Sequence, residues 1–140
     1  MAANQNMSNM EALEFKRFIQ KYLQDLNVDV VEDGFKTAVQ NKVQAMIVGF
    51  DEEYTRPRLN SKNLTATLNI SISLFSESKE SQVSQIIRNL MSINGTTPGL
   101  PNYRIASLAP TNSSITYVTD SSIGHVNGSV TLQIVYLMIP

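Results

Sequence analysis

The chain has 140 residues, of which 42% are hydrophobic and 16% charged, and its formal net charge is −1. This composition is too apolar for a disordered protein, and the length suits one domain of ordinary size. The absence of cysteine excludes disulfides, thiolate metal sites and a cysteine nucleophile.

The charged fraction is below the roughly 25% that is usual for soluble domains, and Ser, Thr and Asn take its place. Interface cores are depleted in charge, so this composition favours a surface that contacts other subunits, although a Ser/Asn-rich family is an equal alternative. With basic residues scattered and the net charge near zero, no strong electrostatic field favours binding of nucleic acid.

The first ten residues lack the basic and apolar regions of a signal peptide, and no apolar run reaches the ~20 residues of a membrane span. We therefore expect a protein made and used in a cytoplasm.

The N-terminal part predicts a flexible start over 1–7 followed by an amphipathic helix over 9–26. Ser8 and Glu11 have the spacing of a capping box, in which each side chain satisfies a free backbone N–H. Asn27 is a suitable stop. The apolar stripe of this helix, with spacings of three and four residues, consists of Leu13, Phe15, Phe18, Ile19, Tyr22, Leu23 and Leu26.

Two strands are predicted next, a short one over 28–31 and another over 42–50. A turn at 32–34 ends the first. The second stretch is ambiguous, because its apolar residues have near-helical spacing but also alternate. Its β-branched residues and Gly49 suit a strand better than a helix interior.

The segment 51–62, DEEYTRPRLNSK, has the densest charge in the chain, with acidic residues first and basic residues after them. It also contains Pro57. We interpret it as a charged, solvated hairpin arm or long loop.

The strongest strand signal follows in LTATLNISISLF at 64–75, where apolar and polar residues alternate. One face should be buried and the other wet or facing a partner. A second amphipathic helix begins after Ser76 or Ser78, either of which could be its cap, and ends near 94–95.

Residues 94–114 contain several glycines and prolines and are predicted to form a long irregular loop, with a short strand over 103–106. A strand beginning at 115–117, a turn over 124–128 and a final strand over 129–139 end the chain. From Ile134 onward nearly every residue is apolar, which predicts a strand that is central in a sheet or covered by a neighbouring subunit.

These elements predict one α+β domain spanning 1–140. Its sheet should be mixed but mainly antiparallel, with about four to six strands and both amphipathic helices packed on one face.

No residue pattern points to catalysis. His125 is the single histidine, and it stands in a predicted turn without the partners that a general base or metal ligand needs. The acidic run at 51–53 lacks the pattern of a calcium loop, and no phosphate-binding loop or nucleophile elbow is present. We expect a protein that is not an enzyme and has no catalytic residue, cofactor or metal.

The residues that are candidates for binding a partner are aromatic or charged. Tyr54, Arg56 and Arg58 could form a patch for single-stranded nucleic acid. The adjacent acids and the net charge favour a protein interface instead, where Tyr and Arg are common anchors. The candidate interface residues are Asp51, Glu53, Tyr54, Arg56, Arg58, Lys62, Tyr103, Arg104 and Tyr136.

The order of elements resembles the tail terminator, or tail completion, proteins of tailed bacteriophages. The resemblance lies in the helix at 9–26, the strand at 64–75 that is followed by a helix, and the C-terminal segment SSIGHVNGSVTLQIVYLMIP at 121–140. It covers roughly 10–140 and is a match of pattern, since that family has no catalytic signature.

The resemblance implies a virion protein, assembled in the host cytoplasm, that forms a hexameric ring at the head-proximal end of a tail tube. Its partners would be other copies of itself, the tail tube protein and the neck or head connector protein, with a sheath protein as a further candidate. No membrane is implied, and DNA would only pass through the lumen. The alternatives are a neck adaptor or head-completion protein of the same particle, and a cytoplasmic ligand-binding α/β domain.

Overall fold

The computed structural model describes residues 11–32, 34–35, 42–77, 80–118 and 125–139. Two helices and five strands are present in these ranges. In chain order they are α1 Glu11–Asp25, β1 Asp29–Val30, β2 Gln44–Thr55, β3 Leu64–Ser76, α2 Glu80–Met91, β4 Ile105–Val118 and β5 His125–Met138.

The strands form one sheet in the order β1-β2-β3-β5-β4. The short β1 pairs in parallel with β2, and every other pair is antiparallel. The predicted α+β class, with a mixed and mainly antiparallel sheet, is confirmed.

The two central strands, β3 and β5, show why the sheet has two different faces. The alternation in β3 places its apolar residues on one face, and β5 matches it residue by residue from Leu64↔Met138 to Ser76↔Val126. Apart from the half-buried Leu64, the apolar side chains on this face are buried, most of them completely, and full burial of a Leu, Ile, Val or Met side chain contributes about 1.5–3 kcal/mol of hydrophobic stabilisation. These residues are Ala66, Leu68, Ile70, Ile72, Leu74, Val126, Val130, Leu132, Ile134, Tyr136 and Met138.

Both helices pack on this apolar face, as predicted. The ring of Phe15 in α1 lies 5.4 Å from the ring of Tyr136 in β5, centroid to centroid. The buried residues of α2 join the same core. The hydroxyl of Tyr22 in α1 donates to the carbonyl oxygen of Asn89 in α2 at 3.0 Å, which links the two helices. Asn27 follows α1 with a φ of 65°, the left-handed conformation of a helix stop.

The predicted boundary of β2 was wrong, because the strand continues beyond residue 50 to Thr55. The acidic residues therefore lie in a paired strand, with Asp51 opposite Asn69 and Thr55 opposite Thr65. Of the two interpretations of 51–62, a hairpin fits the structure, and only residues 56–63 connect β2 to β3. The sequence did not indicate a strand here because its acidic residues are typical of a solvated loop. In the structure Asp51 and Glu53 are exposed although their backbone pairs with β3.

The prediction of a long irregular loop over 94–114 was wrong in its second half, which forms β4. Register shifts between Ile105 and Ser107 and between Pro110 and Asn112 break the two-residue period that would have indicated a strand. Pro110 is compatible with the strand because β4 lies at the sheet edge, where one side of the backbone needs no pairing.

Three smaller predictions also need correction or lie outside the described ranges. Ser76, one of the two proposed caps of α2, is the buried last residue of β3 and pairs with Val126. The turn expected over 124–128 is instead the start of β5 at residue 125. The proposed capping residues Ser8 and Ser78 lie outside the described residues.

We predict that Gly128→Ala destabilises the fold by about 1–3 kcal/mol. A Cβ atom at this position would lie 2.7 Å from Cγ1 of Val83 and 3.1 Å from Cδ1 of Ile87. Because Val83 is β-branched and buried, it has little freedom to move away. Urea denaturation of the variant and the wild-type protein measures the difference.

Gly95→Ala is the matched control, because nothing lies within 4 Å of a Cβ atom there. It should leave stability within about 0.5 kcal/mol of wild type. Equal midpoints for the two variants would contradict the close packing of α2 on β5.

Candidate subunit interface

The sheet face opposite the helices is built from neutral polar side chains. On β3 and β5 most of them are hydroxyls and amides, and neither strand has a charged residue on this face. Such groups cost less to desolvate than carboxylates or ammonium groups. They are Thr65, Thr67, Asn69, Ser71, Ser73, Asn127, Ser129, Thr131 and Gln133.

Several of these polar side chains form hydrogen bonds across the strands. The hydroxyls of Ser71 and Thr131 lie 3.2 Å apart, and those of Ser114 and Ser129 lie 2.8 Å apart. The side-chain amide of Gln133 donates to Asn69 at 3.2 Å. The face is therefore ordered by its own hydrogen bonds and suits contact with a flat polar partner or with water.

Two regions bound this polar face. At one end, Phe35 stacks on Phe75 with ring centroids 5.3 Å apart and covers the sheet there. Along one side, Asp51 and Glu53 of β2 place carboxylates beside Asn69 and Thr67. Elsewhere, no helix in the described ranges packs on it.

The outer half of β2 exposes apolar side chains. Val48, Phe50 and Tyr54 are 56%, 42% and 46% exposed. Phe50 and Tyr54 pair with Ile70 and Ala66, so they project to the helix side of the sheet, beyond the area that the helices cover. A cluster of exposed apolar side chains on one strand is typical of a surface that meets another protein.

Glu52 connects this exposed strand to the core. Its Oε1 accepts a hydrogen bond from the hydroxyl of Tyr54 at 2.6 Å, and its Oε2 accepts one from the hydroxyl of Tyr136. The hydrogen bond to Glu52 raises the pKa of Tyr54 to about 12. Burial, and after it the bond to Glu52, raises the pKa of Tyr136 well above its ordinary value.

The nine interface residues predicted from sequence do not form one patch. Asp51, Glu53 and Tyr54 lie on β2, and the exposed Arg56, Arg58 and Lys62 follow in its connection to β3. These six residues lie in residues 48–62, which we call the hairpin end.

The remaining three predicted residues lie elsewhere. Tyr103 is half-buried, and its hydroxyl donates to Glu14 at 2.5 Å. Arg104 is exposed next to the start of β4. Tyr136 was predicted to be an interface residue, but its side chain is fully buried in the core and offers no surface to a partner.

A second surface feature is the α2–β4 groove, a cavity of about 770 Å³ between that helix and the neighbouring strand. Apolar Ile87, Met91 and Ile115 line it together with the cation of Arg88 and several serines. Met91 is 43% exposed. Sequence reasoning missed this groove because β4 was predicted to be a loop, which left α2 without a neighbouring strand edge.

The described residues contain no candidate metal cluster and no helix that could span a membrane. No group of three or more His, Cys, Asp or Glu side chains in the described ranges could hold a metal ion. Neither helix described is long and apolar enough to cross a bilayer. His125 begins β5 opposite Val118 and does not lie in a free turn.

Comparison with known proteins gives a likeness in structure alone. No protein-family model and no curated protein matches the sequence. Among solved structures, a chain from the virion of a native gene transfer agent particle is similar, with a TM-score of 0.56 and 10% sequence identity. The similarity covers 96% of this chain and 99% of that one, so the two share their fold over nearly their whole length.

We predict that Tyr136→Phe lowers the free energy of unfolding by about 1–2 kcal/mol, because it removes a buried hydrogen bond to a carboxylate. Tyr117→Phe is the matched control, since the hydroxyl of Tyr117 also bonds a carboxylate, that of Glu80, but on the exposed surface. Chemical denaturation should show no measurable change for the control. A Tyr136→Phe variant as stable as wild type would show that the link between Glu52 and the core contributes nothing.

We also predict that the protein loses stability in alkali. The pKa values of Tyr54 and Tyr136 are raised, so folding favours the neutral phenols, and this contribution to stability is complete below about pH 10, the ordinary value. The part due to Tyr54 is lost as the pH rises through about 12, and the part due to Tyr136 is lost at still higher pH. Denaturation midpoints across this range should fall more steeply for the wild-type protein than for a Tyr54→Phe/Tyr136→Phe double variant. Parallel curves would contradict the prediction.

Proposed function

We propose that this chain is a structural virion protein without enzymatic activity, and more specifically a tail terminator. Copies of it would form a ring, which we expect to be hexameric, at the head-proximal end of a tail tube. The ring would end tube polymerisation and join the tube to the neck of the particle.

The observation that carries the proposal is the fold shared with a chain of a gene transfer agent virion over 96% of this chain. At 10% identity this likeness supports a phage-like structural role and leaves the position within the particle to other arguments. The order of elements, from the first amphipathic helix to the long final strand, agrees with the resemblance to tail terminators.

The surfaces of the molecule also support an assembly role. The broad sheet face carries neutral polar groups, and the hairpin end combines exposed aromatic side chains with charges of both signs. A ring subunit needs one surface for each of two neighbours and others for the tube and the neck. The polar face without basic residues suits the lumen, because positively charged walls would hold passing DNA by its phosphates.

Partners follow from this role. We expect the chain to contact other copies of itself, the tail tube protein and the neck or head connector protein, with a sheath protein as a further candidate. The protein would be found in the virion after assembly in the host cytoplasm. DNA would meet it only in transit.

Deletion of the gene in the strain that produces the particles tests the role. We predict overlong or variable tails that are not joined to heads, and electron microscopy of the lysate measures both length and attachment. A copy of the wild-type gene supplied in trans should restore the fixed length.

Tails of normal length with normal attachment would overturn the proposal. Tails of normal length that stay detached would also exclude a terminator, and would assign the chain to the neck or head-completion proteins instead.

A further inference from the structure

The sheet has two free edges on its opposite sides. β4 forms one edge and pairs only with β5. β2 forms most of the other, because β1 pairs only with Gln44 and Ala45. In the ranges that the structure describes, no strand pairs with the outer side of β4 or of β2 over 46–55.

The edge formed by β4 lacks the usual protection. Its sequence, IASLAPTNSSITYV, contains no charged residue. Monomeric proteins commonly guard a long edge strand with charges, proline or bulges, because a free row of N–H and C=O groups accepts other strands. Pro110 and the two register shifts guard the first half, but the pairing from Asn112 to Val118 is regular. This second half is open to an added strand.

The opposite edge carries side chains that fit beside β4. Phe50 and Tyr54 project to the helix side of the sheet and are almost half exposed. The α2–β4 groove lies on the same side of the sheet, with Ile87, Met91 and Ile115 as its apolar lining. An aromatic side chain from an added strand would therefore meet apolar groups there.

Charge is also complementary. Of the three acidic residues at 51–53 in the free part of β2, Glu52 lies on the helix side of the sheet, as does the exposed cation of Arg88, whereas Asp51 and Glu53 lie on the polar face. β4 itself adds no charge of either sign, so an acidic strand meets no repulsion from it.

Strand direction favours the same pairing. β2 and β5 run one way and β3 and β4 the other, because each neighbouring pair from β2 to β4 is antiparallel. A rotation about an axis along the strands carries one copy onto the next without reversing any strand. β2 of the next copy then lies antiparallel to β4, and the alternation of the sheet continues across the boundary.

We propose that the outer half of β2, residues 46–55, from a second copy of this chain adds to the free edge of β4 as an antiparallel strand. Phe50 of the added strand enters the α2–β4 groove, and Glu52 of that strand lies on the same side of the sheet as Arg88. Because the two edges differ, the contact is head-to-tail and can close into a ring. The inference rests on the proposed function, since it names the contact by which the ring would form.

Disulfide trapping tests the pairing, and the absence of native cysteine leaves only the introduced thiols to react. Phe50→Cys is combined in turn with Ser113→Cys, Ile115→Cys and Tyr117→Cys, which lie on the helix side of β4 as the register with β5 shows. After oxidation of the purified protein, at least one pair should give a ladder of covalent dimers and higher multiples on non-reducing gels. Three positions are needed because the two strands could pair in more than one register.

The matched control combines Phe50→Cys with Ser114→Cys, which lies on the opposite face of the same strand. A ladder of equal strength in this control would overturn the proposal. So would the absence of a ladder from all three test pairs, whether light scattering finds the protein oligomeric or monomeric.

A variant without cysteine gives an independent measurement. Phe50→Lys should weaken self-association by about tenfold or more, as expected for an aromatic anchor at an interface. Ile139→Lys is its control, because Ile139 is 66% exposed after the end of β5, outside both β2 and β4, and should not affect the pairing. Equal self-association of the two variants would contradict the proposal that Phe50 binds in the α2–β4 groove.

These outcomes are separable from those of the gene deletion. Overlong tails without the gene, together with no trapping, would leave the terminator role in place and reject this contact. Trapping together with normal tails would keep the contact between copies and reject the role.

Discussion

The pairing of β3 with β5 is the interaction on which the rest of the molecule depends. It runs without a register shift from Leu64↔Met138 to Ser76↔Val126. A slip by one residue would move every apolar side chain of a strand to the polar face. The correct register gives the helices a continuous apolar layer and leaves hydroxyls and amides on the other side. The two faces and the two free edges all follow from this central pair.

Sequence patterns predicted the elements that have a regular period and a strong contrast between faces. α1, β3 and the final strand are of this kind, and the α+β class followed from them. Only the two ends of β4 were predicted, as a short strand over 103–106 and a strand beginning at 115–117. The part between them was missed because Pro110 and two bulges remove its alternation, which an edge strand tolerates. The extension of β2 to Thr55 was hidden for a different reason. Its side chains at 51–53 are those of a solvated loop, and only pairing with β3 makes them part of a sheet.

The candidate interface was predictable in part. Tyr54 and its acidic neighbours lie at an exposed end of the sheet, as the sequence indicated. Tyr136 has the same residue type but faces the core, since its place in the alternation of β5 decides its burial. The exposure of Phe50 depends on how far the helices reach along the sheet, and the α2–β4 groove depends on which strand lies beside α2. The exposure of Phe50 and the groove both depend on how separate segments pack together, so the residue pattern within one segment could not predict them.

The missing charge on β4 has a consequence for how the protein is handled inside a cell. The unpaired backbone N–H and C=O groups of β4 can form hydrogen bonds with any exposed strand, whatever its sequence. Free edges of this kind promote aggregation. The risk grows with the concentration of unassembled subunits. In the proposed virion role, synthesis together with the other particle proteins would keep that concentration low, so the level and timing of expression would matter for the protein as much as its fold does.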